Sequence, residues 1–589
     1  MFKKHTFFLV GLLAIFFFNS CRVENPEITI KELGGHIKYL ASDSLKGRYP
    51  GTKESKVAAN YIKYNFVKGG LELLGNNGFQ EFEVVTAITA GEHNALKFDD
   101  QIGVLNVDFA PFSYTKNDSL EAEVVFVGYG FSFEKEGINW DDYANVDVKG
   151  KWVLILMGDP EPDNHNSIFA QYASERDKVI TAKDKGAAGV LFVNGPVFDK
   201  GDKLIGLNFD KTRSNAGIPV IHIKRELAGA FLANVSIEKL EKKLNDTQTV
   251  VSFSTDKKLS AITDVKQQKV VTQNVLAFIE GNELKDEIIV LGAHWDHLGF
   301  GGSGSGSRMP DTVAVHYGAD DNASGVSGII EVAEKLAHQK DLKRSVLVMA
   351  FGAEEMGLLG SNYFTTNPLF DLKEVKAMVN LDMIGRLKDD HSIMIGGTGT
   401  SLEGEALLNS LNSDSVFKIS MQAEGFGASD HASFYAKDIP VFFISTGAHD
   451  DYHTPLDQFE KINLEGGKEV SDYAYELMLS LINADKELTF QEAGPKQRAS
   501  GGRRFKITFG IMPNFTSTEN NGLGVDGVSK GGPAEAAGMK KGDRIVAING
   551  LPVSNIYEYM SRLGKLEAGN MVTVDVIRND EKVVLLIKL

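Results

Sequence analysis

Gly318-Ala319-Asp320-Asp321-Asn322-Ala323-Ser324-Gly325 is the stretch around which this chain is organised. It sets two adjacent carboxylates and an amide directly before a run with apolar residues at Val326, Ile329, Ile330, Ala333, Leu336 and Ala337. That i, i+3, i+4, i+7 spacing predicts a helix with one buried face. Asn322 and Ser324 are both suitable N-caps for it. The carboxylates are therefore expected on a loop entering a helix N-terminus. Taken alone, the stretch reads as a capped turn with surface acids, because aspartates are mostly exposed.

Four apolar runs flank it, at residues 288–293, 345–351, 378–381 and 440–444. Runs of this length suit strands buried on both faces. Helical patterns separate them, which predicts an α/β fold with a mostly parallel central sheet and helices on both faces. The first run ends in His294-Trp295-Asp296-His297 and the second in Gly352-Ala353-Glu354-Glu355. The third ends in Asp382, and the fourth is followed by His449-Asp450-Asp451-Tyr452-His453-Thr454-Pro455. Ligands of open α/β sheets gather outside the carboxyl ends of the strands. His, Asp and Glu without thiolates suit zinc held by nitrogen and oxygen. Each motif by itself is commonplace, but all of them fall at the same predicted sheet edge.

Taken together, His294-x-Asp296, the octapeptide, Glu354-Glu355, Leu381-Asp382 and Tyr452-His453-Thr454-Pro455 resemble the di-zinc exopeptidases related to bacterial leucyl aminopeptidases and glutamate carboxypeptidase. The resemblance covers roughly residues 28–485. It implies two zinc ions as cofactors, with His294 and Asp382 on the first and Glu355 and His453 on the second. Asp321, rather than Asp320, falls at the bridging position, and the bond from Asp321 to Asn322 is expected to be cis. Glu354 falls on the general base, which takes a proton from a zinc-bound water and returns it to the leaving amine. Asp296 is placed to orient the His294 ring, and Tyr452 resembles a tyrosine that donates to the oxyanion. His297, His316, His431 and His449 have no assigned ligand position, and Asp457 reads as part of a turn; all five are taken as structural.

The implied activity is a zinc-dependent exopeptidase, an aminopeptidase acting on peptide substrates. Three other readings stand beside it: a carboxypeptidase, an acyl transferase like the one-zinc glutaminyl cyclases, and a non-catalytic scaffold that has lost its metals. Retention of all five candidate ligands and of Glu354 argues against the last two.

The rest of the chain sets the context. Its 589 residues exceed what one hydrophobic core uses. The apolar and charged fractions, 43% and 24%, are those of ordinary globular protein. With 62 basic against 79 acidic residues, the formal charge of −17 argues against a nucleic-acid partner. Residues 1–20 read as a signal peptide, with Lys3 and Lys4 before an apolar run at 7–18. Cys21, the single cysteine, follows Ser20 and resembles the lipid-attachment site of bacterial lipoproteins. An exported, membrane-anchored protein of the bacterial cell envelope is expected, held through lipid on Cys21.

Residues 22–120 and 255–485 read as two parts of the α/β domain. Residues 121–254 are β-rich, and the phrases at 142–151 and 186–193 resemble a protease-associated domain. Residues 486–504 have linker composition. Residues 505–589, with Gly531-Gly532-Pro533-Ala534 and Lys541-Gly542-Asp543-Arg544, resemble a PDZ domain. Such a domain adds a peptide C-terminus beside its carboxylate loop, here expected at 509–512.

Overall fold

The computed structural model describes residues 27–135, 137–164, 167–207, 215–232, 235–493, 507–513, 520–528 and 531–589. The leader, Cys21 and residues 494–504 of the expected linker lie outside the described residues.

The main domain is built on a nine-stranded sheet. Its path runs Glu72–Leu73, Val265–Ile279, Arg344–Phe351, Leu284–His294, Val375–Leu381, Val441–Ser445, Ser392–Gly396 and Lys418–Gln422, and Phe79–Ala90 also pairs with Val265–Ile279. The four expected strands are the centre and are mutually parallel. Arg344–Phe351 is buried at every position, which is why its sequence shows no alternation. Outside this centre the sheet turns antiparallel, at Val265–Ile279 on one side and Ser392–Gly396 on the other. Only residues 280–283 separate Val265–Ile279 from Leu284–His294. That is too short for the crossover a parallel strand needs, so the chain reverses.

Helices Ile30–Leu40, Lys53–Lys68, Gly325–Ala337 and Leu464–Asn483 pack one face of the sheet through Leu33, Phe66, Ile329 and Leu477. On the other face, Phe364 and Phe434 from two short helices meet Phe351 and Met378. The first, second and last of the four longer helices start at side-chain caps, Thr29, Thr52 and Asn463, each accepting an N–H of the first turn. The Gly325–Ala337 helix is capped by Asn322, whose Oδ1 accepts the Gly325 N–H at 2.9 Å. Ser324, the other expected cap, instead donates its hydroxyl to Asp320.

The insert forms its own eight-stranded sheet around a core with Phe126, Leu154 and Ile221. Its strands include Ala95–Phe98 and Phe109–Pro111, and its Ser252–Thr263 strand runs past residue 254. The expected limits of 121–254 therefore move outward on both sides. The cause is the long ladder between Phe79–Ala90 and Val265–Ile279, which carries the chain out of the main sheet before the insert begins.

The C-terminal domain has a separate core with Phe509, Val525, Ile545 and Val574. Phe509 is buried there, and Ile511–Pro513 forms a strand at the end of the expected carboxylate loop. This domain docks on the insert, helix Ile556–Leu563 against helix Glu175–Asp184. The Arg562 guanidinium grips the Asp184 carboxylate with two hydrogen bonds, of 2.6 and 2.8 Å. Lys183 reaches Glu558 at 2.7 Å, and the Arg176 guanidinium lies between the rings of Tyr114 and Tyr557. Bidentate pairs of this kind are geometrically demanding. Asp184→Arg is thus expected to release the domain, seen as a larger radius of gyration in solution scattering. Adding Arg562→Asp should restore the parent value; failure of the double exchange to recover it would show that the pair does not hold the dock.

Candidate metal centre

The residues singled out along the sheet edge come together at that edge. His294 ends the Leu284–His294 strand, Glu354 and Glu355 follow Arg344–Phe351, and Asp382 follows Val375–Leu381. Gly318 starts the octapeptide with φ +57°, where a Cβ would collide with the Asp321 carbonyl, so only glycine makes this entry. The Asp321–Asn322 bond is cis.

Asp321 lies between two groups of donors. His294 Nε2 is 3.2 Å from Asp321 Oδ1 and 3.5 Å from Asp382 Oδ1. On the other side, His453 Nε2 is 3.2 Å from Asp321 Oδ2 and 3.1 Å from Glu355 Oε2. The histidine tautomers are fixed from behind. His294 Nδ1 donates to the Asp296 carbonyl at 3.2 Å, and His453 Nδ1 to the Gly306 carbonyl at 3.0 Å. In a neutral imidazole this leaves Nε2 as a bare lone pair. Lone pairs then face carboxylate oxygens at little more than 3 Å on both sides of Asp321. The donor set, imidazole nitrogen and carboxylate oxygen without sulfur, fits zinc. His294, Asp321 and Asp382 form one group able to hold a metal ion.

The same carboxylates act on the imidazoles. Burial pulls His294 and His453 down, but the carboxylates override it; His294 is held well above its usual value and His453 is pushed up to about 10. Burial raises Asp321, yet His294 and His453 hold it well below the carboxylate range. Glu354 goes the other way. Burial, with Glu355, Asp430 and Asp382 nearby, pushes it well above that range despite His294. A carboxyl poised upward beside a cation site suits proton transfer.

Two sequence expectations change. The Asp296 carboxylate does not orient His294, since its Oδ1 is 4.0 Å from Nδ1 and it is the Asp296 carbonyl that does so. Instead Asp296 Oδ1 accepts the Glu354 backbone N–H at 2.9 Å, fixing the general-base candidate. His297, taken as structural, lies inside the second group. Its Nδ1 is 2.7 Å from Glu355 Oε1, and His297, Asp321 and Glu355 together are able to hold a metal ion. The pattern His294-x-x-His297 carried that information, a second imidazole three residues on. Asp457 is buried and structural in a particular place, because its carboxylate accepts the backbone N–H groups of both Asp320 and Asp321. Tyr452 stacks on the His453 ring, with centroids 3.8 Å apart. His431 stacks on Phe443 and His316 bonds Ser307 and the Ala314 carbonyl, as structural residues would. His449 Nε2 is 3.2 Å from Asp320 Oδ2.

Comparison with known proteins gives three family matches. Residues 274–478 match Peptidase family M28, residues 120–231 the PA domain and residues 511–589 the PDZ domain. The chain is 24% identical over 385 residues to "Aminopeptidase YwaD" of Bacillus subtilis (strain 168), covering 62% of this chain and 70% of that one. It is 28% identical over 346 residues to "Leucine aminopeptidase 2" of Trichophyton rubrum, covering 57% of each, so it spans little more than half of that relative. Among solved structures, "Aminopeptidase from Aneurinibacillus sp. strain AM-1" is 23% identical, with a TM-score of 0.47 over 79% of this chain and 95% of that one.

Proposed function

We propose that this chain, a peptidase family M28 protein with a PA insert and a C-terminal PDZ domain, is a zinc-dependent aminopeptidase that removes N-terminal residues from peptides. The observation that carries the reading is Asp321, with one oxygen facing His294 and the other facing His453. Relatives named aminopeptidase support the substrate class. In this reading His294, Asp321 and Asp382 hold one zinc ion, and Asp321, Glu355 and His453 the second.

Zinc bound there would supply Lewis acidity toward a peptide carbonyl and lower the pKa of a water. The protein's own residues do the rest. Glu354, 8% exposed, presents a carboxylate at the pocket wall that accepts a proton from the attacking water and gives it to the leaving amine. Asp296 holds the Glu354 backbone in place. The carbonyls of Asp296 and Gly306 aim the two imidazoles. His297 fixes Glu355 by the bond to Oε1, leaving Oε2 toward His453. Tyr452 lies flat against His453 and in this reading would donate its hydroxyl to a developing oxyanion. The N-terminal segment completes the reading: export, lipid on Cys21 and a place on the bacterial cell envelope, with the PDZ domain taking peptide C-termini.

Free and amino-blocked versions of the same short peptides test the activity. Hydrolysis of the free forms alone is expected; equal hydrolysis of blocked forms, or cleavage from the carboxyl end, would replace aminopeptidase with carboxypeptidase. Cyclisation of N-terminal glutamine with one zinc per chain would point to acyl transfer.

All proposed ligands precede residue 454. Removing residues 500–589 is therefore expected to leave turnover of a small chromogenic amino-acid substrate within a factor of a few. A folded, zinc-loaded truncation that loses activity would place the PDZ domain in the site.

A further inference from the structure

We propose that Arg48 is a positioning residue that locks together the loops carrying His294 and Asp321, an inference that rests on the metal-site reading above. Arg48 lies in Leu45-Lys46-Gly47-Arg48-Tyr49-Pro50-Gly51-Thr52, far in sequence from every candidate ligand. Its side chain is fully buried. The guanidinium donates to four backbone carbonyls: Nε to Trp295 at 2.8 Å, Nη1 to Leu40 at 2.6 Å and Tyr317 at 2.7 Å, and Nη2 to Gly318 at 3.0 Å.

The choice of acceptors is what matters. Trp295 sits between His294 and Asp296. Tyr317 and Gly318 lead directly into Asp320 and Asp321. One rigid fork thus spans the first ligand loop and the bridging-ligand loop and ties both to the Ile30–Leu40 helix. Asp457 holds the same loop from the other side, through the Asp320 and Asp321 N–H groups. The backbone around Arg48 is shaped for this task. Lys46, Gly47 and Arg48 have φ of 44°, 71° and 51°, a left-handed run that non-glycine residues avoid. A Cβ on Gly47 would collide with the carbonyls of His316 and Gly299, so the turn packs tightly against the neighbouring active-site loop.

The guanidinium's hydrogen bonds go to carbonyls; burial pulls its pKa down to about 10, and Asp321, Asp296, Asp457 and Glu355 act against that at longer range. A buried cation is costly unless something opposes it, and here the opposing charge is the carboxylate cluster of the metal site. Lysine keeps the charge, but its single ammonium cannot span acceptors on both sides of the fork.

Arg48→Lys and Arg48→Met are compared with Phe66→Leu, a buried core change in the Lys53–Lys68 helix. Hydrogen exchange and zinc affinity by chelator competition are measured on the full chain. In both Arg48 variants, amide exchange is expected to accelerate in residues 293–298 and 315–323 but not in Arg344–Phe351. Zinc affinity is expected to fall about 10–100-fold, the usual effect of losing a group that orients ligands. Phe66→Leu should lower the melting temperature and leave both readouts near the parent. Parent-like exchange in the two loops, equal loosening of the central strand, or the same zinc loss in Phe66→Leu would each overturn the proposal. If the parent binds no zinc yet the loops still loosen selectively, the positioning role stands and the metal reading fails.

Discussion

Glu354→Gln is expected to lower turnover by about 10²–10⁴-fold, the usual share of a general acid–base group, while zinc content stays at the parent level. The two outcomes separate because Glu354 is in neither group of metal donors. Its backbone N–H is held by Asp296 and its Oε2 lies 3.8 Å from His294 Nε2, beside the cation site but not among its closest contacts. Glutamine keeps the shape and the backbone bond and loses only the ability to take and return a proton. At about 1.4 kcal/mol per tenfold, the change amounts to roughly 3–5 kcal/mol of transition-state stabilisation. Burial first, then Glu355, Asp430 and Asp382, raise this carboxyl against the pull of His294. Turnover within a factor of a few of the parent would remove Glu354 from the mechanism. Loss of zinc alongside loss of activity would reassign it as a ligand.

Asp321→Ala is expected to abolish tight binding of both zinc ions, whereas His294→Ala should weaken mainly one. The asymmetry follows from placement. Asp321 sends Oδ1 toward His294 and Oδ2 toward His453, so its removal opens both donor groups at once. His294 belongs to only one of them. Zinc per chain after dialysis, with a folded-state check on each variant, decides the matter. An Asp321 variant that retains two tightly held ions would move the bridge elsewhere. Asp320 would be the first residue to examine, although its Oδ1 is already engaged by the Gly385 N–H and the Ser324 hydroxyl. His297→Ala adds a useful third arm. It should perturb only the second group, through Glu355, and loss of the first ion instead would contradict the geometry.

Much of this was legible in the residues. The four central strands follow from unbroken apolar runs, because a strand covered on both faces has no reason to alternate. The Gly325–Ala337 helix follows from its 3.6-residue period and from Asn322 at its start. The gathering of His294, Asp321, Glu355, Asp382 and His453 in one place is legible because side chains beyond the carboxyl ends of such strands meet at one edge of the sheet. The rest was not local. The pattern around Val265–Ile279 does not say that the strand runs antiparallel to its neighbour, since that depends on the length of a connection and on which strand it meets. His297 stands three residues beyond His294, but the sequence alone does not say that its ring meets Glu355. Asp296 was given the correct neighbourhood and the wrong partner, because a spacing of two residues does not determine whether the carbonyl or the carboxylate faces the ring. The docking of Arg562 on Asp184 joins residues 378 positions apart, which no pattern along the chain encodes. Arg48 is the clearest case: its acceptors are main-chain carbonyls, common to every residue type, so nothing in the sequence marks them. Side-chain chemistry and periodicity are properties of the chain and can be read from it; which backbone atoms a buried charge meets is a property of the fold alone.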